Sequence, residues 1–316
     1  MAGLGGLKIR HLEALVEVAR RGSISGAAAA LGRTQPAISR TLRELEQLTG
    51  RRLVERSGRG TRLTPAGKVM LGHAGQSLAA ARTGLEMLRG TGAEPVTVAV
   101  GALPTVAASL MPAAVARFDP LGSARLRVVT GENEYLLGHL RAGDLDMVIG
   151  RLPAPSAMQG LNFEPLYRER VALVVAQKHP LARRQTLGGA DLAAFTLLVP
   201  GPGAIIRPLF ERLFTEQGLP LPGKVIETVS DSFGRAYVRD HAAVWVISRG
   251  VVAADLRDGS LVELPVDTAT TLGAVGLTLR RGEPLSPEVE AFAETLRATA
   301  ARLHAADTRA GPGEGA

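Results

Sequence analysis

Five side chains near the N-terminus have the types and spacing needed to read DNA. They are Thr34, Gln35, Ser39, Arg40 and Arg43, within Arg33-Thr-Gln-Pro-Ala-Ile-Ser-Arg-Thr-Leu-Arg43. An amide can pair with adenine and a guanidinium with guanine, while hydroxyls and further cations hold phosphates. Gln35, Ser39 and Arg40 are expected to contact bases. Thr34 and Arg43 are expected mainly to position the backbone, with Arg33 and Pro36 completing the DNA-facing stretch. A second basic group follows in Arg51-Arg-Leu-Val-Glu-Arg-Ser-Gly-Arg-Gly-Thr-Arg-Leu-Thr64, where Arg56, Arg59 and Arg62 surround a tip marked by Gly58 and Gly60. Such a β-hairpin is a wing suited to phosphate or minor-groove contact.

These groups need elements to hold them. Thr34 can cap a helix whose first turn tolerates Pro36, and Ile38, Leu42 and Leu45 give it one apolar face. An ordinary amphipathic surface helix has the same pattern, so the flanks decide. Residues 8–21 also read as a helix, with Leu12, Leu15, Val16 and Ala19 on one face, ending at Gly22. Ser23 can cap a short alanine-rich helix, 25–31, that stops at Gly32 and allows close approach. Two helices joined by a tight glycine turn, the second with a polar N-terminus, form a helix-turn-helix.

Charge agrees. Residues 1–93 hold 15 Lys/Arg against 6 Asp/Glu, whereas residues 94–316 hold 22 against 24. The whole excess behind the net +7 therefore sits in the first third, as expected of a small domain that meets a polyanion. The chain has no cysteine, which excludes thiol catalysis, disulfides and thiolate metal sites. Its six histidines are scattered, with none paired at i, i+3 or i, i+4, so no metal is expected. There is no G-x-G-x-x-G, P-loop, G-x-S-x-G, H-E-x-x-H or S-x-x-K, so neither a catalytic residue nor a cofactor is expected. No apolar run reaches the length of a membrane span and the N-terminus lacks a signal-peptide layout, which predicts a cytoplasmic protein without a membrane partner.

Thr64-Pro-Ala-Gly67 starts another helix. Gly67, Leu71, Ala74, Leu78, Ala81, Leu85 and Leu88 then repeat at alternating spacings of four and three, which predicts a coiled-coil seam and a dimer with two reading helices. Thr91-Gly-Ala-Glu-Pro95 reads as a hinge. Beyond it, strand candidates at 96–101, 126–129, 144–149, 171–176, 225–227 and 243–247 alternate with helix candidates at 132–142, 204–217, 231–240 and 249–257. A helical stretch to Phe118 is expected to bend at Pro112, and a final amphipathic helix spans 286–304. The alternation predicts an α/β domain with largely parallel sheets and ligands at the strand C-termini. Trp245 lies in an apolar run and is assigned to the core.

The chain resembles the LysR-type transcriptional regulators. The segments that carry this are Ala28-Ala-Ala-Leu-Gly-Arg-Thr-Gln-Pro-Ala-Ile-Ser-Arg40, Leu63-Thr-Pro-Ala-Gly67 and Gly143-Asp-Leu-Asp-Met-Val-Ile-Gly-Arg151. Gly101-Ala-Leu-Pro-Thr105, Gly150-Arg-Leu-Pro153, Phe163-Glu-Pro-Leu-Tyr167, Ser232-Phe-Gly-Arg-Ala-Tyr237 and Val244-Trp-Val-Ile-Ser-Arg-Gly250 are similar to one subgroup, that of the protocatechuate (pca) operon activators and galactose-binding-protein regulators. The resemblance implies a winged helix-turn-helix over 1–65, a linker and dimerisation helix over 66–92, and an effector-binding domain over 93–306 like the type 2 periplasmic binding proteins. Lobe I would be 93–165 with 270–306 and lobe II 166–269, with crossovers near 163–167 and 265–269; residues 307–316 would form a disordered tail.

The resemblance also implies an effector cleft. Thr105 would offer a hydroxyl to a carboxylate and Asn133 an amide. Arg151 would make a bidentate contact, Gly203 in the Pro200–Gly203 loop would permit close backbone approach, and Ser230 and Ser232 would open a further helix. The implied partners are double-stranded promoter DNA, a small-molecule effector, RNA polymerase and further copies in a homodimer or homotetramer. The expected function is activation of a catabolic operon by a small anionic aromatic-derived or ring-cleavage carboxylate. A sugar is the alternative effector, although sugar sites usually offer stacking surfaces and only 3% of this chain is aromatic. A solute-binding protein would leave the first 90 residues without purpose, and an α/β enzyme would need a motif that is not there.

Overall fold

The computed structural model describes residues 6–57, 60–89, 96–118, 124–219 and 223–309. The first unit packs three helices, α1 (Ile9–Arg21), α2 (Ile24–Ala30) and α3 (Gln35–Thr49), beside a hairpin of β1 (Val54–Ser57) and β2 (Gly60–Leu63). Gly22 ends α1 in the left-handed region at φ 63°, a conformation that L side chains rarely adopt, and its N–H reaches Val18 O. The Ser23 hydroxyl accepts from Gly26 N–H at 3.0 Å and caps α2. Ile38, Leu42 and Leu45 are buried against Leu12 and Leu15, the face expected from their spacing.

The wing is held from both sides. Glu46 of α3 accepts from Leu53 N–H at 2.7 Å and Val54 N–H at 3.2 Å, while Thr61 N–H donates to Gly22 O at 2.7 Å. The chain then enters α4 (Pro65–Arg89), with the Thr64 hydroxyl accepting from Gly67 N–H. Here the structure differs from the coiled-coil expectation. Gly67, Leu71, Ala74 and Leu78 are buried inside the chain, with Leu71, Ala74 and Leu78 in the same apolar cluster as α1 and Ala142. Ala81 is half-buried, Leu85 is 53% exposed, and the Leu88 side chain lies outside the described residues. The heptad pattern thus serves intrachain packing through its first half, which sequence periodicity cannot distinguish from a seam between copies.

The remaining elements form two α/β lobes. In order they are β3 (Thr97–Ala102), α5 (Pro104–Ala107), α6 (Leu110–Arg117), β4 (Arg125–Thr130), α7 (Asn133–Arg141), β5 (Met147–Arg151), β6 (Leu161–Glu169), β7 (Val171–Ala176), α8 (Gly189–Ala193), β8 (Thr196–Val199), α9 (Arg207–Glu216), β9 (Val225–Glu227), α10 (Asp231–Asp240), β10 (Ala243–Ser248), α11 (Ala253–Asp258), β11 (Leu261–Glu263), β12 (Gly273–Arg280) and α12 (Pro287–Arg309). Lobe I has the sheet order β4-β3-β5-β12-β6 and lobe II the order β11-β7-β10-β8-β9. Each lobe has its own core, Trp245 being fully buried in lobe II and Phe292 in lobe I.

Several expectations are corrected. The sheets are mixed: β3 runs parallel to β4 and β5, but β12 is antiparallel to β5 and β6, and β7 is antiparallel to β10 and β11. The helical stretch before Phe118 breaks at Ala108–Ser109, not at Pro112, which sits in the first turn of α6 where its missing N–H is tolerated. The first crossover is not at 163–167. Those residues belong to β6, which pairs along its length with β12 from Leu161↔Arg280 to Glu169↔Gly273, and the chain changes lobe at Arg170. The return connection between β11 and β12 contains residues 265–269. α12 continues to Arg309, so 307–309 are helical; residues 310–316 of the expected tail and the expected hinge at 91–95 lie outside the described residues. Among the described residues no helix is long and apolar enough to cross a membrane.

Candidate DNA-reading surface and effector cleft

Arg33, Thr34, Gln35, Pro36, Arg40 and Arg43 are exposed along the start of α3, and Ser39 is half-buried. Thr34 occupies the cap position without a side-chain cap bond, so its hydroxyl is available to an outside group. Arg40 is 81% exposed, with Glu44 at 3.7 Å as its ionic neighbour. Glu44 also accepts from Arg10 and contacts the buried His11, and hydrogen bonds from His11 first and Arg10 second hold its carboxyl below the usual range. Arg43 Nε donates to Ser39 O, which lays it along the helix. Arg56 and Arg62 are exposed on the wing, Arg62 paired across the hairpin with Glu55 at 2.8 Å, and Arg59 lies outside the described residues. A groove of about 390 Å³ separates wing and helix, with Gln35 on one wall and Arg52, Arg56 and Thr61 on the other. Sequence reasoning missed Arg52 and Ser25 in this groove, and Glu46, which fixes the wing from a position distant in sequence.

A second cavity, of about 530 Å³, lies between the lobes. Its wall comes from the C-terminal ends of parallel strands: Leu103–Ala108 after β3, Thr130–Asn133 after β4, Arg151 ending β5, Pro200–Ile206 after β8, Thr228–Asp231 after β9, and Ile247 near the end of β10. This is where α/β sheets place ligands, because loops diverge there and helices begin. Thr105, Asn133, Arg151, Gly203 and Ser230 all line it, so five of the six expected effector-binding residues are brought together. Ser232 is exposed outside the wall and is tied to the Ser230 hydroxyl at 3.1 Å.

The polar atoms of the wall differ in availability. Thr105 Oγ1 and Asn133 Oδ1 are buried without a hydrogen-bond partner among the described residues. Ser230 is partly spent as a cap on Phe233 N–H. A Cβ on Gly203 would stand 2.8 Å from a Glu132 carboxylate oxygen, so the Glu132 side chain of lobe I lies directly against the Gly203 backbone of lobe II. Arg151 is 3% exposed; its Nη2 donates to Glu169 O at 2.8 Å and its Nη1 to Thr271 O at 3.2 Å, while Nε has no partner. The guanidinium therefore ties both crossover segments, and its two terminal nitrogens are not a free fork facing the cavity. Burial lowers the Arg151 pKa against the pull of Glu169, and burial raises the Tyr167 phenol and the Glu169 carboxyl beside it. Two acidic residues in the wall were not anticipated. Asp231 is paired with Arg235 at 3.1 Å, whereas Glu132 has no ion-pair partner among the described residues. Both stand at helix starts, where an acid reads as ordinary dipole compensation.

Glu169 gives a testable pH dependence. Its folded pKa is raised, so the folded state binds the proton more tightly, and the associated stability is present below the ordinary carboxylate value and lost as pH rises through the raised one. Urea unfolding at about pH 5 and about pH 8 should show a smaller drop for Glu169→Gln than for the native chain. Identical drops would contradict this assignment.

Comparison with known proteins gives the following. Residues 9–68 match the family described as bacterial regulatory helix-turn-helix protein, lysR family, and residues 92–301 match the LysR substrate binding domain. The chain is 44% identical over 300 residues to the HTH-type transcriptional regulator PcaQ of Agrobacterium fabrum, covering 94% of this chain and 96% of that one. It is 36% identical to the uncharacterized HTH-type transcriptional regulator YdcI of Escherichia coli, over 92% and 95% of the two chains. The structure of ArgP from Mycobacterium tuberculosis shares the fold at a TM-score of 0.64 and 23% identity, over 92% of this chain and 96% of that one.

Proposed function

The chain belongs to the LysR family of bacterial transcriptional regulators, and from that premise we propose that it activates a catabolic operon in response to a small anionic carboxylate. The carrying observation is the interlobe cavity, which gathers Thr105, Asn133 and Arg151 at strand ends and has no aromatic side chain in its wall among the described residues. The Nε of Arg151 and the hydroxyl of Thr105, both without a partner among the described residues, suit a carboxylate, and Asp231 is already neutralised by Arg235. A sugar would ask for a stacking ring. The apolar part of the wall, from Leu103, Ile205, Ile206, Val229 and Ile247, suits the body of an aromatic-derived or ring-cleavage acid. The 44% identity with PcaQ along nearly the whole chain supports the same regulator class.

On DNA, Gln35, Ser39 and Arg40 contact bases, while Thr34, Arg43, Arg56, Arg59 and Arg62 hold phosphates, with Arg33 and Pro36 at the helix entry. Two reading helices require at least a dimer, and the family expectation is a tetramer acting with RNA polymerase on a cytoplasmic promoter. Val69 and Leu85 leave apolar surface on α4 for a second copy, at 55% and 53% exposure. Selection of the full chain against randomised duplexes should enrich two half-sites spaced by about 10 bp or a multiple of it. Recovery of unenriched sequence, with binding governed by salt alone, would overturn the sequence-specific reading.

A further inference from the structure

The DNA-reading unit and lobe I share a joint within one chain. Ala142, in the loop after α7, is 5% exposed and belongs to the apolar cluster of Leu71, Ala74 and Leu78 on α4. Gly75 faces the same loop, where a Cβ would stand 2.2 Å from Arg141 O. Beside this close packing, Arg20 at the end of α1 pairs with Asp144, and the opposite carboxylate oxygen of Asp144 meets His139 Nδ1 at 3.0 Å. Arg20 and Asp144 are only 19% and 20% exposed, so the pair is shielded in a way that surface ion pairs are not.

The loop that makes this joint is the turn of a unit whose two other ends lie in the cleft. α7 begins at Asn133 in the cavity wall and ends at Arg141 against Gly75. β5 starts just after Asp144 and finishes at Arg151 in the same wall. Between these ends there is little room for slack. Leu136, Leu137 and Leu140 of α7 are fully buried, as are all five residues of β5, and close-packed interiors transmit displacement rather than absorb it.

We propose that this joint is the output of the effector cleft: the α7–β5 unit carries a change at Asn133 and Arg151 to the Arg20–Asp144 contact and so resets the orientation of the DNA-reading unit on its own chain. The proposal rests on reading the cleft as the effector site. A ligand that pulls on Asn133 and Arg151 shifts this rigid unit as a whole, and the loop at its far end sits against a helix that leaves no space beside Gly75. α7 and β5 supply a physically continuous packed element between the two sites, one of the ways in which such coupling is carried.

The test uses the full chain and no ligand, so failure of the effector reading leaves it intact. The natural absence of cysteine allows Arg20→Cys/Asp144→Cys to be joined by a short bis-maleimide. Mixed light and isotope-labelled protein then separates links within a chain from links between chains. The expected result is a link within one chain, formed at least about fivefold faster or slower when Asn133→Leu or Arg151→Gln alters the cleft end. Circular dichroism of each variant establishes that it is folded, and Lys178→Ala, exposed on lobe II away from the cavity wall, is the control that should leave the rate unchanged. Links solely between chains, or none, would overturn the joint. A normal link whose rate is indifferent to both cleft variants would overturn the transmission.

Discussion

Arg151→Ala should abolish carboxylate-induced stabilisation and also lower the stability of the free chain by about 3–5 kcal/mol. The two effects have separate causes. Arg151 donates to the carbonyls of Glu169 and Thr271, one on each crossover, and stands beside the buried Glu169 carboxyl, whose Oε1 accepts from Gly250 N–H and whose Oε2 has no partner. Alanine leaves two carbonyls without donors and a buried carboxyl without its cation. Arg151→Lys should recover part of the charge but not the span, because an ammonium cannot reach two carbonyls as a planar guanidinium does. Thr105→Val separates recognition from stability. Thr105 Oγ1 has no protein partner, so its loss should leave the free chain almost unchanged while weakening a carboxylate by about 0.5–1.5 kcal/mol. Urea unfolding with and without ligand reads both quantities. An Arg151→Ala chain that keeps both the native stability and the native ligand response would remove Arg151 from the site.

Arg40→Ala should cost about 1–3 kcal/mol on the selected operator and relax the base preference at one position of each half-site. Its guanidinium is 81% exposed on α3 and held within the protein by one distant carboxylate, so little has to be broken when it turns to a base. Arg56→Ala on the wing should instead weaken operator and random duplex alike and reduce the salt slope, the signature of a phosphate contact. Fluorescence anisotropy on both duplexes over a salt series distinguishes them. Equal losses on operator and random DNA for both variants would contradict the division between base-reading helix and backbone-holding wing.

What was legible in the sequence follows locality. Capping residues, left-handed glycines and short apolar faces act within a turn or two, so Gly22, Ser23, Ile38 and Leu42 reveal the helix-turn-helix directly. Apolar strands such as Val171–Ala176, buried except at its last residue, and Ala243–Ser248, buried throughout, are equally plain. β6 was hidden because Leu161-Asn-Phe-Glu-Pro-Leu-Tyr-Arg-Glu169 mixes charge and proline, and what makes it a strand is its ladder to β12 more than a hundred residues on. The same limit applies to the site. Thr105, Asn133 and Ser230 stand out as helix starts, whereas the engagement of Arg151 by Glu169 and Thr271 is settled by crossovers remote in sequence. Glu132 was overlooked because its contribution depends on Gly203 arriving from the other lobe. The heptad stripe meets a related limit: periodicity gives a buried face but not the identity of its cover, and here part of that cover is Ala142 of the same chain.

A carboxylate in the interlobe cavity is tested by thermal unfolding of the full chain against benzoate, protocatechuate, cis,cis-muconate and galactose. At 100 times its dissociation constant an acid should stabilise the chain by about 2.7 kcal/mol, and the shift should vanish in Arg151→Ala. Stabilisation by galactose alone, or by an acid equally in the native and Arg151→Ala chains, would contradict the proposed chemistry of the cleft.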